Sequence, residues 1–134
     1  MSTLQQLTVL DAKRFGVFAC HGNTTLQEAA QRMVEEDVSA LVVLDVDGYL
    51  EGILTHTDLV RAATMAASWR TEPASAFMSR DVVTATAGES LAEVARQLLD
   101  HCIHRVVVVR EENGRQRPIA VIASSDIVYH LVRE

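Results

Sequence analysis

Cysteine is almost missing: Cys20 and Cys102 are the only two in 134 residues, and they stand far apart. That excludes a disulfide framework and makes a reducing, cytoplasmic setting the expectation. Aromatic residues make up 4% of the chain, too few for a platform that stacks single-stranded bases. Two prolines and six glycines are too few for a low-complexity segment, and 49% hydrophobic residues are too many for a disordered one. No apolar run approaches the roughly 18–20 residues that a membrane-spanning helix needs. The start, Met1-Ser2-Thr3-Leu4-Gln5-Gln6, has neither a basic stretch nor an apolar core, so no secretory signal is expected. Eighteen acidic against twelve basic residues give a net charge of -6, which opposes binding to nucleic acid or an anionic membrane. A Gly-x-Ser-x-Gly elbow, a phosphate-binding Gly-Lys loop and a His-Glu-x-x-His pair are also missing, so no catalytic residue is assigned and the chain is not expected to be an enzyme.

What the sequence does have is an internal repeat. Gly16 to Leu26 lies over Asp81 to Leu91, and the match runs on without a gap: Leu26, Glu28 and Ala30 fall on Leu91, Glu93 and Ala95. Val38, Leu41, Val42 and Val43 fall on Ile103, Val106, Val107 and Val108. A three-residue insertion in the second hairpin then brings Asp58 onto Asp126.

Both copies spell the same order of elements. A short β-prone segment (Val17-Phe18-Ala19 or Val82-Val83-Thr84) precedes a capping box, Thr25-Leu26-Gln27-Glu28 or Ser90-Leu91-Ala92-Glu93. Apolar residues at helical spacing follow, then the β-branched runs Leu41–Leu44 and Val106–Val109, too short for helices. Asp47-Gly48 and Asn113-Gly114 are hairpin turns, returning as Tyr49–Leu54 and, after Pro118, Ile119–Ile122. Each return strand ends in a polar cluster that opens a second helix. The expected fold class is α+β, two β-α-β-β-α repeats related by a pseudo-twofold and packed through their small sheets. Residues 1–70 form the first repeat with its N-terminal segment, 71–80 a linker with a helical turn near Ala76-Phe77-Met78, and 81–134 the second repeat. A unit of about 60 residues buries too little surface to be stable alone, so the two should share one module.

Chemistry concentrates at the ends of the return strands. Gly52-Ile53-Leu54-Thr55-His56-Thr57-Asp58 gathers hydroxyls and a carboxylate at a helix N-terminus. Free amides and the helix dipole there favour an anion, and a carboxylate in the same turn can accept both hydrogens of a ribose diol. The same spacing is also an ordinary helix cap, and one turn can serve as both. In the other copy His104-Arg105 precedes the buried Val106–Val109 strand, where an Arg fork and a His donor suit a phosphate. The alternative is a surface pair shielding a strand end. Cys20-His21 and His101-Cys102-Ile103-His104 offer metal-type ligands without the spacing of a dedicated site, so no metal is assigned.

From about Asp11 to Leu131 the chain resembles the tandem CBS-domain pair, or Bateman module. The resemblance is carried by Phe77-Met78-Ser79-Arg80-Asp81-Val82-Val83-Thr84, Ile103 to Val109 and Gly52 to Asp58, in their order and double occurrence. It implies a regulatory module that binds an adenosine-containing ligand, AMP, ADP, ATP or S-adenosylmethionine, with or without Mg²⁺, between the repeats. Carried over by position, Asp58 holds the ribose, Thr55 and Thr57 lie near ribose or phosphate, and His104 and Arg105 neutralise phosphate. Val82, Val83, Ile103 and Ile53 line the base. A weaker second site falls to Asp126, Ser124, Ser125, Val17 and Phe18, because Ala123 replaces Thr55, Ala120 replaces Gly52, and Ser39-Ala40 replaces His104-Arg105. The resemblance also implies a separate regulated protein and a homodimer paired through its helices. The apolar residues Leu59, Val60, Ala63, Ile127, Val128 and Leu131 suit such a dimer or, alternatively, packing within one chain. A purely structural interaction module without nucleotide is the alternative.

Overall fold

The computed structural model describes residues 3–12 and 16–133. Two four-residue helical turns, α1 (Thr3–Gln6) and α2 (Val9–Ala12), come first. Then follow β1 (Ala19–His21), α3 (Leu26–Glu36), β2 (Ala40–Leu44), β3 (Leu50–Thr55) and α4 (His56–Met65). Two short 3-10 turns, Trp69–Thr71 and Ala74–Ala76, lead to β4 (Thr84–Thr86), α5 (Leu91–Asp100), β5 (Arg105–Glu112), β6 (Arg115–Ala123) and α6 (Ser124–Val132). The β-α-β-β-α order is present twice, and the fold is α+β. The helical turn expected near Ala76 starts two residues earlier, behind Pro73, whose fixed φ suits a helix start.

The chain divides into two compact units, Phe18–Val82 and Met1–Val17 joined with Val83–Glu134. In the first unit β1 runs parallel to β2 and β3 returns antiparallel, with Leu41 opposite Leu54 and Val42 opposite Ile53. The apolar sides of α3 and α4 close one face of this sheet, burying Leu26, Ala29, Met33, Leu41, Val43, Leu54 and Ala62. Only half of the expected capping box forms: the Thr25 hydroxyl accepts the Glu28 amide, while the Glu28 carboxylate pairs with Arg32 one turn further along the helix. Asp37 ends α3 in the left-handed conformation, and Cys102 holds the matching place after α5 at the same φ of 53°.

In the second unit β4, β5 and β6 repeat the topology, around Val94, Leu98, Val106, Val108, Ala120 and Ile122. Here the hairpin is longer, with pairing out to Glu112 and Arg115. The turn Asn113-Gly114 has positive φ at both residues, as a tight hairpin requires. Glu112 accepts hydrogen bonds from Arg110 and Arg117, which extends the ladder beyond the apolar residues. β6 therefore begins before Pro118 instead of after it. Proline is tolerated there because β6 is an edge strand and the register shifts at Val109, opposite Pro118.

Each unit is completed by the segment that precedes the other unit's first strand. Ala74, Phe77 and Met78 pack on the first core, and Leu4, Leu7 and Val9 on the second. The N-terminal segment, first in sequence order, thus groups with the repeat that comes second. Residues 71–80 belong structurally to the first unit.

Candidate functional site

Thr55 closes β3 in an extended conformation and caps α4. Its amide and its hydroxyl both donate to Asp58 Oδ2, at 2.8 and 3.1 Å, and its Oγ1 accepts the Asp58 amide at 3.4 Å. Asp58 is 8% exposed, the one buried charged residue among those described. Arg61, one helical turn on, donates from Nη1 to Asp58 Oδ1 at 3.1 Å. The capping half of the sequence reading is therefore built, and Arg61 is a partner it missed. The signal was present: an acid at the third helical position and a base three residues later face each other. His56 and Thr57 are exposed beside the cap, and the His56 amide donates to Ser39 O.

Gly52 and Ile53 sit immediately upstream. Ile53 exchanges both backbone hydrogen bonds with Ser79, at 2.9 Å each. A Cβ on Gly52 would lie 2.6 Å from Ser79 O and 2.9 Å from Met78 Sδ. Glycine at this position is what lets the Met78-Ser79 segment lie against β3. Ile53 is itself nearly buried, and Val82 half-buried.

His104 and Arg105 lie in the second unit, where Arg105 pairs with Ala123 across the β5–β6 ladder. The amide and hydroxyl of Ser124 donate to His104 O, at 3.0 and 3.4 Å. The Ala123 amide donates to Asp126 Oδ2 at 2.7 Å, repeating the Thr55–Asp58 backbone bond without a hydroxyl. His104, Arg105, Ser124, Ser125 and Asp126 are thus gathered around the start of α6. In the first unit the corresponding neighbours of Thr55 and His56 are the uncharged Ala40 and Ser39. Ile103 and Val83 pack on the second core, and Val83 O accepts the Val107 amide. Phe18 O accepts the Val42 amide in the same way, while its ring is half exposed and Val17 half-buried.

The residues proposed for pairing between copies divide in two groups. Leu59 and Ile127 pack on the cores of their own units, whereas Val60, Val128 and Leu131 are exposed. A cavity of about 500 Å³ opens at the opposite end of the first sheet from Thr55, lined by His21, Gly22, Asn23, Leu44, Asp45, Val46 and Glu51. His21 Nδ1 bonds Leu44 O there, while Cys20 is buried in the core and its thiol is pushed up to about 11 by burial. Adjacent residues on a strand point to opposite faces, so these two do not converge. Among the described residues no group of three or more His, Cys, Asp or Glu side chains is placed to hold a metal ion. No helix among them is long and apolar enough to cross a membrane.

Comparison with known proteins agrees with the repeat. The chain is 32% identical over 129 residues to a homoserine O-acetyltransferase of Methanohalophilus mahii, covering 96% of this chain and 25% of that one. It therefore spans about a quarter of that relative's length. Among solved structures, the CBS domain pair of protein MJ0100 in complex with 5'-methylthioadenosine and S-adenosyl-L-methionine superposes with a TM-score of 0.80. That pair is 27% identical, and the match covers 92% of this chain and 94% of that one. Hypoxic Response Protein I, crystallised with two coordinated zinc ions, superposes with a TM-score of 0.79 at 29% identity, over 93% and 99% of the two chains. The CBS-domain profile matches residues 12–64 and again 74–133. This chain belongs to the CBS-domain family and carries two copies of the domain in tandem.

Proposed function

We propose that the chain is a regulatory module, without catalytic activity, that binds an adenosine-containing ligand: AMP, ADP, ATP or S-adenosylmethionine, with or without Mg²⁺. The observation that carries this reading is the Thr55–Asp58 turn. It holds a nearly buried carboxylate, fixed by two hydrogen bonds from Thr55, at the positive end of α4. A carboxylate so held is prepared for a sugar diol, and the exposed Thr57 beside it for a ribose or phosphate oxygen. The adenosyl ligands of the MJ0100 pair support the choice of ligand class.

In this reading Asp58 and Thr55 of the first unit take a ribose, with Ile53 and Val82 beside its base, and in the second unit His104 and Arg105 take a phosphate, with Val83 and Ile103 near them. The site built on Asp126, Ser124, Ser125 and Val17 in the second unit is weaker, since Ala123 supplies no hydroxyl to its cap. Ligand binding favours one arrangement of the chain, which a second copy or a separate regulated protein detects.

One observation favours a second reading, a structural interaction module: the Asp58 carboxylate already satisfies its own helix and Arg61. A thermal-shift panel of AMP, ADP, ATP, NAD, S-adenosylmethionine and guanine nucleotides, each with and without Mg²⁺, separates the two. Adenosyl ligands should raise the melting temperature of the wild type and leave Asp58→Ala unmoved. A flat response to the whole panel favours the interaction module.

A further inference from the structure

We infer that Arg61 is a positioning residue that competes with the ligand for Asp58, so that a diol binds by displacing a guanidinium. The inference rests on the ribose role proposed for Asp58. A carboxylate offers about four acceptor positions on its two oxygens. Thr55 fills two of them on Oδ2, through its amide and its hydroxyl. Arg61 Nη1 fills a third, on Oδ1 at 3.1 Å. One position is left, and a cis-diol brings two donors.

Thr55 cannot yield: its amide is the start of α4, and its hydroxyl also accepts the Asp58 amide. Arg61 can. Its side chain is 56% exposed against 11% for Asp58, so the guanidinium can swing into water while the carboxylate stays in place. The exchange trades one ion pair at a partly exposed site for two hydroxyl donors. It sets the affinity of the site below what the Thr55–Asp58 geometry alone would give, and makes it dependent on ionic strength.

The test is calorimetric titration of the full chain, as wild type, Arg61→Gln and Arg61→Lys, with AMP, with S-adenosylmethionine and with 2',3'-dideoxyadenosine monophosphate. Arg61→Gln should bind the two diol ligands about two- to fivefold more tightly, the range expected for an exposed ion pair, and Arg61→Lys should restore wild-type affinity. The dideoxy ligand should show no difference among the three proteins, and high salt should close the gap for the others. A merely structural Arg61 would shift all ligands alike. Equal or weaker binding of the diol ligands by Arg61→Gln, with wild-type binding intact, overturns the competition and leaves the ribose role standing. Absence of binding by every protein overturns both.

Discussion

Val9 and Ala74 hold the same place in the two units. The Val9 amide donates to Glu89 O at 3.0 Å, and the Ala74 amide to Thr24 O at 2.8 Å, each just ahead of the Ser or Thr that caps the following helix. Both side chains are essentially fully buried. The bridges Thr8–Ser90 and Thr25–Pro73 repeat the relationship one residue away. The lead-in of each repeat therefore closes the core of the other repeat.

Deleting residues 3–12 should accordingly damage the second unit, although the cut lies next to the first. Hydrogen exchange should quicken in β5 and β6 and stay near wild type in β2 and β3. Val9→Ala, which leaves a cavity two methyl groups in size, should cost about 1–3 kcal/mol in urea unfolding. Faster exchange in β2 and β3 instead would show that the segment supports the first unit.

Gly52→Ala and Gly88→Ala should differ sharply. A Cβ at Gly52 meets the Ser79 carbonyl at 2.6 Å, backbone that cannot swing aside, whereas a Cβ at Gly88 meets nothing within 4 Å. Overpacking of this kind costs about 1–3 kcal/mol, so the first variant should melt several degrees lower. The second should melt near the wild type. Equal melting temperatures would mean that Met78-Ser79 is not held against β3.

The two cysteines should separate on alkylation. Burial pushes the Cys20 thiol up to about 11, because the thiolate loses its hydration, while Cys102 is exposed. Iodoacetamide at pH 8 should modify Cys102 alone in the folded chain and both residues in denaturant, as read by mass spectrometry of peptides. Rapid modification of Cys20 in the folded chain would place it outside the core.

Glu112 should titrate below the usual glutamate range, because hydrogen bonds from Arg117 and Arg110 favour its charged form. A folded-state value below the unfolded one means that the contribution is present at neutral pH and is lost as pH falls through the folded-state value. Arg117→Gln should move the side-chain NMR midpoint of Glu112 upward. A midpoint that stays put would show that the hairpin carboxylate is not paired in solution.

Elements built from short-range signals were readable in the sequence. The β-branched runs, the hairpin turns and the Thr25 and Ser90 caps all depend on residues within a few positions of one another. The lead-in segments were not readable in this way, because Val9 meets its partner at Glu89 and Ala74 at Thr24, far along the chain. The start of β6 was misplaced by Pro118, whose tolerance depends on β6 being an edge strand. At the candidate site the Thr55–Asp58 cap followed from spacing, whereas the reason for Gly52 lies in the carbonyl of Ser79. Arg61 was within reach, since only its three-residue distance from Asp58 was needed.

The most direct measurement is a calorimetric titration of the purified chain with AMP and with S-adenosylmethionine, beside Asp58→Asn, which removes the negative charge but keeps the size of the side chain. Saturable uptake of at least one of them by the wild type, lost or weakened at least tenfold in Asp58→Asn, is the predicted result. Uptake by the asparagine variant equal to that of the wild type, or none by either protein, would contradict the account.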